Sequence, residues 1–171
     1  MTVRYHKLKS LSNEQAAYLA GIIDGEGTVT LTRRNIYRHR YLTVTVSNCE
    51  LPLLEYIIDV TGVGKITTKR VYNPKHSPGY TYQVYSRQAL DILRIILPYL
   101  QTYKKERAHL VLEEYLKLTP RNGKYTDQMI VDRRMFIDHF FSIIPQNAKT
   151  RRGGLVRMIA MEMGSIETPV Q

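Results

Sequence analysis

The chain has 171 residues, the size of one domain, and 43% of them are hydrophobic, which excludes a wholly disordered protein. Lysine and arginine total 25 against 15 aspartate and glutamate residues, so the net charge is +10, which favours nucleic acid or an anionic membrane surface as partner. A single cysteine excludes an intrachain disulfide. The apolar runs are too short to span a membrane and no secretory signal begins the chain, so we expect an intracellular protein, cytoplasmic or organellar.

The first predicted element is a helix over residues 12–24. Ser12 and Gln15 have the spacing of a capping box, and Gly25 and Gly27 are expected to end the helix. Two runs of strict alternation follow, over residues 28–32 and 41–47, with valine and leucine on one face and mainly threonine on the other. This pattern predicts an antiparallel strand pair with one buried face.

The same order of elements then recurs along the chain. The predicted elements are a helix over 51–61, strands over 65–72 and 80–85, a helix over 86–97 capped by Ser86, and further helices over 104–118, 126–144 and 155–163. We therefore predict one α+β domain over residues 1–171, with the order αββαββα, a four-stranded antiparallel sheet and helices on one sheet face. Its core is expected at about 12–118, and a helical C-terminal part at about 126–163.

The second face of this sheet is predicted to be polar and positively charged. A twisted pair of strands fits the major groove of DNA, where each base pair presents a distinct pattern of donors and acceptors. A solvated sheet face is the alternative, and the net charge favours nucleic acid. The side chains expected to bind DNA are Thr30, Thr32, Arg34, Arg38, His39, Tyr41, Thr43, Thr45, Lys65, Thr67, Lys69, Thr81 and Gln83.

The most distinctive stretch of the sequence is YLAGIIDGEG, residues 18–27. Small residues recur every four positions in and before it, so a helix here presents a surface with almost no side-chain bulk. Two such surfaces can approach each other closely. The small residues are Ala16, Ala17, Ala20, Gly21 and Gly25.

Two carboxylates, Asp24 and Glu26, stand at the end of this predicted helix. Carboxylate and backbone carbonyl oxygens are the ligands that Mg²⁺ prefers. A symmetric pair of helices would bring two acidic sites together on a basic surface, which suggests metal-assisted cleavage of phosphodiester bonds.

The segment LAGIIDGEG resembles the LAGLIDADG motif of homing endonucleases. The order αββαββα and the chain length are similar to those of single-motif members, and the resemblance covers residues 13–118. It implies a homodimer whose paired motif helices meet through Ala17, Ala20, Gly21 and Asp24, with Asp24 bracing the helices. Such a dimer reads a pseudo-palindromic DNA site.

The resemblance also implies roles for individual residues. Glu26 corresponds to the acid that binds Mg²⁺ or Mn²⁺, with the carbonyl of Gly25 near or on the same ion. Asn48, at the end of the second strand, corresponds to a polar residue that orders the attacking water. Lys104 corresponds to a basic residue that activates water or balances the developing charge, and Lys105 is the alternative.

The expected function is therefore site-specific, metal-dependent cleavage of both DNA strands, of the intron-homing type, leaving short 3′ overhangs. One alternative is an intron maturase that binds RNA with the same fold. Another is a DNA-binding protein that uses the fold without cleavage. The intact Glu26 favours cleavage, because binding alone does not need that acid.

Overall fold

The computed structural model describes residues 6–36, 38–68 and 78–146. Its elements confirm the predicted αββαββα order. They are α1 Asn13–Glu26, β1 Gly27–Thr32, β2 Tyr41–Asn48, α2 Leu51–Thr61, β3 Lys65–Thr68, β4 Tyr80–Tyr85, α3 Ser86–Ile96, a 3₁₀ turn Leu97–Tyr99, α4 Tyr103–Glu114 and α5 Asp127–Ser142. The helix predicted over 155–163 and the outer part of the strand predicted over 65–72 lie outside the described residues. No helix within those ranges is long and apolar enough to cross a membrane.

Helix α1 begins at the predicted capping box. The Gln15 N–H donates to Ser12 Oγ at 3.3 Å, and the Ser12 N–H donates to Gln15 Oε1 at 3.0 Å, so the first turn has two fewer unsatisfied N–H groups. The helix was predicted to end at Asp24, before Gly25. It instead continues through Glu26 and ends at Gly27. Glu26 is therefore the last helical residue and stands where the chain turns into β1.

The four strands form one antiparallel sheet in the order β1-β2-β4-β3. Thr30 of β1 lies opposite Thr43 of β2, and Thr45 of β2 lies opposite Gln83 of β4. Since alternate strand residues point to opposite faces, this register gathers the polar side chains on one face of the sheet.

The helices cover the other, apolar face. Val29, Leu42 and Val44 are fully buried there. Helix α4 is tied to this layer by Tyr115, whose hydroxyl accepts a hydrogen bond from the Leu42 N–H at 3.1 Å. One face of the sheet is thus committed to the core, and the polar side chains lie on the other.

One buried side chain, Arg107, joins α4 both to the sheet and to the segment after α5. Arg107 of α4 donates to the carbonyls of Val29 in β1 and Ile143 after α5, both at 3.0 Å. Its guanidinium also lies 4.8 Å from the centroid of the Phe140 ring. Backbone carbonyls therefore satisfy this cation, which is 8% exposed.

The start of α3 differs from the prediction. Ser86 does not cap the helix but is its first residue, with Tyr85 at the N-cap and no side-chain hydrogen bond to the first turn. Strand β4 passes into α3 with no connecting residue, and Ser86 makes the turn with a φ of +50°. This left-handed conformation is uncommon for a residue other than glycine.

Candidate active site and nucleic-acid interface

The candidate active site lies where α1 turns into β1. Gly27 allows this abrupt turn, because a Cβ there would lie 2.6 Å from Ile23 Cα. The turn leaves Glu26 exposed at the tip, and its carboxylate has no hydrogen bond or ion pair to the described part of the chain. An uncommitted carboxylate next to the carbonyls that end a helix is suited to bind a cation.

A surface cleft brings Glu26 together with Asn48, as predicted from the sequence, although these residues come from α1 and β2. The Asn48 Oδ1 accepts the Glu50 N–H at 2.9 Å, which fixes the amide at the end of β2. Its amide nitrogen donates to no acceptor among the described residues and is available as a donor. Ser47, Cys49 and Gly79 complete the lining of this cleft.

Asp24 has a structural role within its own chain. Its carboxylate accepts hydrogen bonds from the Gln101 N–H at 2.7 Å and the Thr102 hydroxyl at 2.6 Å, at the start of α4. These contacts join the end of α1 to the N-terminus of α4. The side chain is thus engaged within a single subunit, and the bracing of paired helices expected of Asp24 stays a prediction.

Lys104 lies beneath the end of α1 rather than in the cleft. Its Nζ donates to the carbonyls of Ile23 at 2.8 Å and Asp24 at 2.9 Å, and the residue is 6% exposed. Burial lowers the pKa of Lys104, against the opposing effect of the Asp24 and Glu26 carboxylates. The ammonium thus neutralises the negative end of the α1 dipole. The alternative residue, Lys105, is exposed.

Hydroxyl groups are paired across the polar face of the sheet. Thr32 and Thr43 share a hydrogen bond of 2.6 Å between their Oγ1 atoms, and Ser47 and Thr81 share one of 2.9 Å. Thr43 is 3% and Thr81 8% exposed, which corrects the prediction that both lie open to a partner. Neighbouring side chains cover them and occupy their hydroxyls.

The second strand pair continues this network. Gln83 donates from Nε2 to Thr67 Oγ1 at 3.2 Å and accepts a short hydrogen bond from the Tyr85 hydroxyl. Tyr85 was not among the residues predicted for this face, although it continues the alternation of Thr81 and Gln83 in β4. Lys69, predicted on the same face, lies outside the described residues.

A concavity marks the outer end of this face, at the opposite end of the strands from Glu26. Residues 34, 35, 38 and 39 of the connection between β1 and β2 meet there the ends of the central strands and the start of β3. The structure brings together five of the predicted DNA-binding residues in its lining: Arg34, Arg38, His39, Tyr41 and Lys65.

The small residues of α1 divide into two rows. Ala17, Gly21 and Gly25 are exposed, and a Cβ added to either glycine would meet no atom within 4 Å. Ala20 is 0% exposed and packs in the core, so its predicted place in a dimer interface is wrong. The surface open to a second copy is the row that contains Gly21.

Comparison with known proteins gives the family and the fold. The homing endonuclease I-CvuI, crystallised with its target in the presence of Ca, has 21% identity and a TM-score of 0.62, over 77% of this chain and 83% of that one. Archaeal I-Vdi141I, complexed with DNA, has 16% identity and a TM-score of 0.60, over 78% and 86%. I-SmaMI, bound to uncleaved DNA with calcium ions, has 21% identity and a TM-score of 0.55, over 83% of this chain and 49% of that one.

A search of curated proteins finds no match. The family model described as LAGLIDADG endonuclease matches residues 19–126, which is well over half of the chain and includes the second half of α1, the whole sheet and α4. The chain therefore belongs to the LAGLIDADG endonuclease family of DNA-cleaving hydrolases.

Proposed function

We propose that the protein is a site-specific endonuclease that cuts both strands of a pseudo-palindromic DNA site as a homodimer with a divalent metal ion. The observation that carries this proposal is the exposed Glu26 carboxylate, which shares a cleft with Asn48 at one end of a polar, cationic sheet face. A maturase or a simple DNA-binding protein would not need a carboxylate presented in this way. A DNA substrate supports a location inside the cell, in the cytoplasm or an organelle.

The donors at the end of α1 fit a Mg²⁺ ion shared with DNA. Mg²⁺ is bound through one or two carboxylates plus substrate phosphates and keeps several waters. Glu26 would supply the carboxylate and Gly25 a carbonyl oxygen, and the described residues contain no cluster of three or more acidic, histidine or cysteine ligands that would enclose the ion fully. Such an ion supplies charge stabilisation for the phosphoryl and leaving oxygens.

Asn48 and Lys104 have different proposed roles. The amide of Asn48 faces the same cleft as Glu26 and would orient the attacking water by hydrogen bonding. Lys104 acts through the backbone, since its ammonium donates to the carbonyls of Ile23 and Asp24 and so positions the segment that carries Glu26. Its positive charge beneath the cleft also favours the binding of a phosphate.

The exposed row of α1 supports the homodimer. Gly21 and Gly25 stand in open space, so nothing in the single chain requires glycine there, although glycine inside a helix costs about 1 kcal/mol relative to alanine. Close contact with a second α1 would explain both residues. A two-fold axis between the helices would place two copies of Glu26 together, one for each strand, consistent with short 3′ overhangs.

The chain length relative to I-SmaMI is also consistent with a dimer. This chain covers 49% of that protein, so a second copy would supply an equivalent of the remaining length. Each subunit would place its sheet face in the major groove of one half-site, where Arg34, Arg38 and Lys65 can contact base edges or phosphates.

The experiment is selection and cleavage of a randomised pseudo-palindromic duplex library in Mg²⁺, with the cut ends sequenced. We expect staggered cuts within one sequence motif, and no cuts with Glu26→Gln, which keeps the shape of the side chain but removes its charge. Glu106→Gln, at an exposed acid in α4, is the matched control and should cut like the wild type. Enrichment of bound DNA without cutting by the wild type or by Glu106→Gln would indicate a DNA-binding protein. Retention of intron RNA instead of DNA would indicate the maturase.

A further inference from the structure

The concavity at the outer end of the sheet has a wall that the proposed function leaves unused. Gly123 and Tyr125 line the concavity, together with the β1–β2 connection and the strand ends. Both residues belong to the α4–α5 loop, residues 115–126. This loop is therefore part of the same surface as the arginines expected to contact DNA.

The α4–α5 loop is held against the β1–β2 connection by specific contacts. The Tyr125 ring packs on His39 with centroids 4.1 Å apart. Arg133 of α5 is 3% exposed; it donates to the Leu118 carbonyl at 2.5 Å and the Thr119 hydroxyl at 2.9 Å, and its other terminal nitrogen donates to the Arg40 carbonyl. One buried guanidinium thus joins α5 and the loop to the start of β2.

The charge of the loop suits a polyanion. Residues 115–126 contain three cations and no acid. Lys117 is paired with Glu114 at 2.8 Å, whereas Arg121 and Lys124 are exposed and have no ion-pair partner in the described part of the chain. The concavity lining adds three more cations and no carboxylate. Positive charge without compensation at a concave surface attracts phosphate.

The position of the concavity relative to Glu26 fits the outer part of a half-site. Strand β1 has six residues, which span about 20 Å at the usual rise of a strand. A strand of DNA advances 3.4 Å per nucleotide, so this distance corresponds to about six base pairs. The loop lies at the far end of this path, where contacts to the backbone hold the duplex without reading bases.

We propose that the α4–α5 loop binds the DNA phosphate backbone at the outer side of each half-site, through Arg121 and Lys124, and adds affinity without sequence preference. This inference rests on the proposed function, because it assigns a second contact to the same DNA. It extends the interface beyond the sheet to an element that the sequence motif does not include.

The test measures DNA affinity by fluorescence anisotropy over a series of salt concentrations, with Ca²⁺ in place of Mg²⁺. The probe is a labelled duplex carrying the selected site. Lys124→Gln and Arg121→Gln are each compared with Arg94→Gln, which removes one exposed cation from α3 on the helical side. We expect the slope of log K against log salt to become shallower by about 0.9 per subunit for each loop variant, or about 1.8 for the dimer, and to stay unchanged for Arg94→Gln.

A second measurement locates the contact on the DNA. A duplex shortened beyond about the sixth base pair from each cut should lower the wild-type slope, lower the slope of Lys124→Gln about half as much, and leave the slope of the double variant Arg121→Gln/Lys124→Gln unchanged. Loop variants that behave like Arg94→Gln while the wild type binds normally overturn the loop contact and leave the proposed function standing. A wild type without salt-dependent DNA binding overturns both. Loss of preference for the selected site in Lys124→Gln shows that the loop reads bases, which contradicts a backbone contact.

Discussion

Replacing Gly21 by alanine tests the proposed dimer surface, because subunit and dimer should respond in opposite directions. Gly21 lies in the middle of α1 and is exposed, and an added Cβ meets no atom within 4 Å in the single chain. Alanine is favoured over glycine inside a helix by about 0.5–1 kcal/mol. The isolated subunit should therefore become more stable by about that amount.

The loss in association free energy of the dimer should exceed the gain in stability of each subunit. If α1 packs against its copy around Gly21, each subunit adds one methyl group to a close contact, and overpacking costs typically about 1–3 kcal/mol per site. Two sites together predict a loss of about 2–6 kcal/mol in association free energy. Even the lower value raises the dissociation constant of the dimer by about 30-fold.

Sedimentation equilibrium over a range of protein concentrations measures the dissociation constant of the dimer. Urea unfolding at low protein concentration measures the unfolding free energy of the isolated subunit. Gly27→Ala is the control within the same motif, because its Cβ would lie 2.6 Å from Ile23 Cα and should destabilise the subunit directly. A Gly21→Ala protein that is more stable and dimerises as tightly as the wild type would refute the assignment of this surface to the dimer.

Three further substitutions have defined outcomes. Burial raises the pKa of Tyr82 to about 12, so the folded chain keeps a proton that the unfolded chain releases above pH 10. The free energy of unfolding should therefore fall by up to about 1.4 kcal/mol per pH unit between about pH 10 and 12. Urea titrations of Tyr82→Phe over this pH range should lack that decrease. Lys104→Met leaves the carbonyls of Ile23 and Asp24 without their donor and should cost about 1–3 kcal/mol of stability. Its cleavage rate in Mg²⁺, measured below the melting temperature, should fall as well, whereas wild-type cleavage would exclude a positioning role. Arg133→Lys cannot reach the Leu118, Thr119 and Arg40 acceptors together, so it should lower the melting temperature and weaken binding to the selected site, as anisotropy would show.

Local chemistry was enough to predict some elements to the residue. Helix α2 occupies residues 51–61 as predicted, because Pro52 in its first turn and Gly62 in the left-handed conformation mark its two ends. The end of α1 was predicted too early because Gly25 was interpreted as a stop. That end is stabilised by Lys104, a contact across 80 positions in the chain that local patterns do not contain.

The candidate site was predictable where strand register or the motif decides the geometry. Glu26 and Asn48 meet because β1 and β2 are adjacent antiparallel strands, so the start of one lies beside the end of the other. The buried position of Ala20 depends on which side of α1 packs on the core, and two rows of small residues looked equivalent in the sequence. The place of Tyr125 follows from the docking of α5, and its only signal in the sequence was the acid-free basic run around it.

The paired hydroxyls on the sheet face have a consequence for how this protein could acquire a new target. Thr32 and Thr43, and likewise Ser47 and Thr81, are hydrogen-bonded to each other before any DNA arrives. A substitution at one member releases the hydroxyl of the other, so the two positions cannot contribute independently to base preference. Single changes should therefore alter recognition at more than one base pair, and paths between targets should pass through concerted replacements of neighbouring residues. Redesign of specificity would have to treat each hydrogen-bonded group as a unit and exchange its members together.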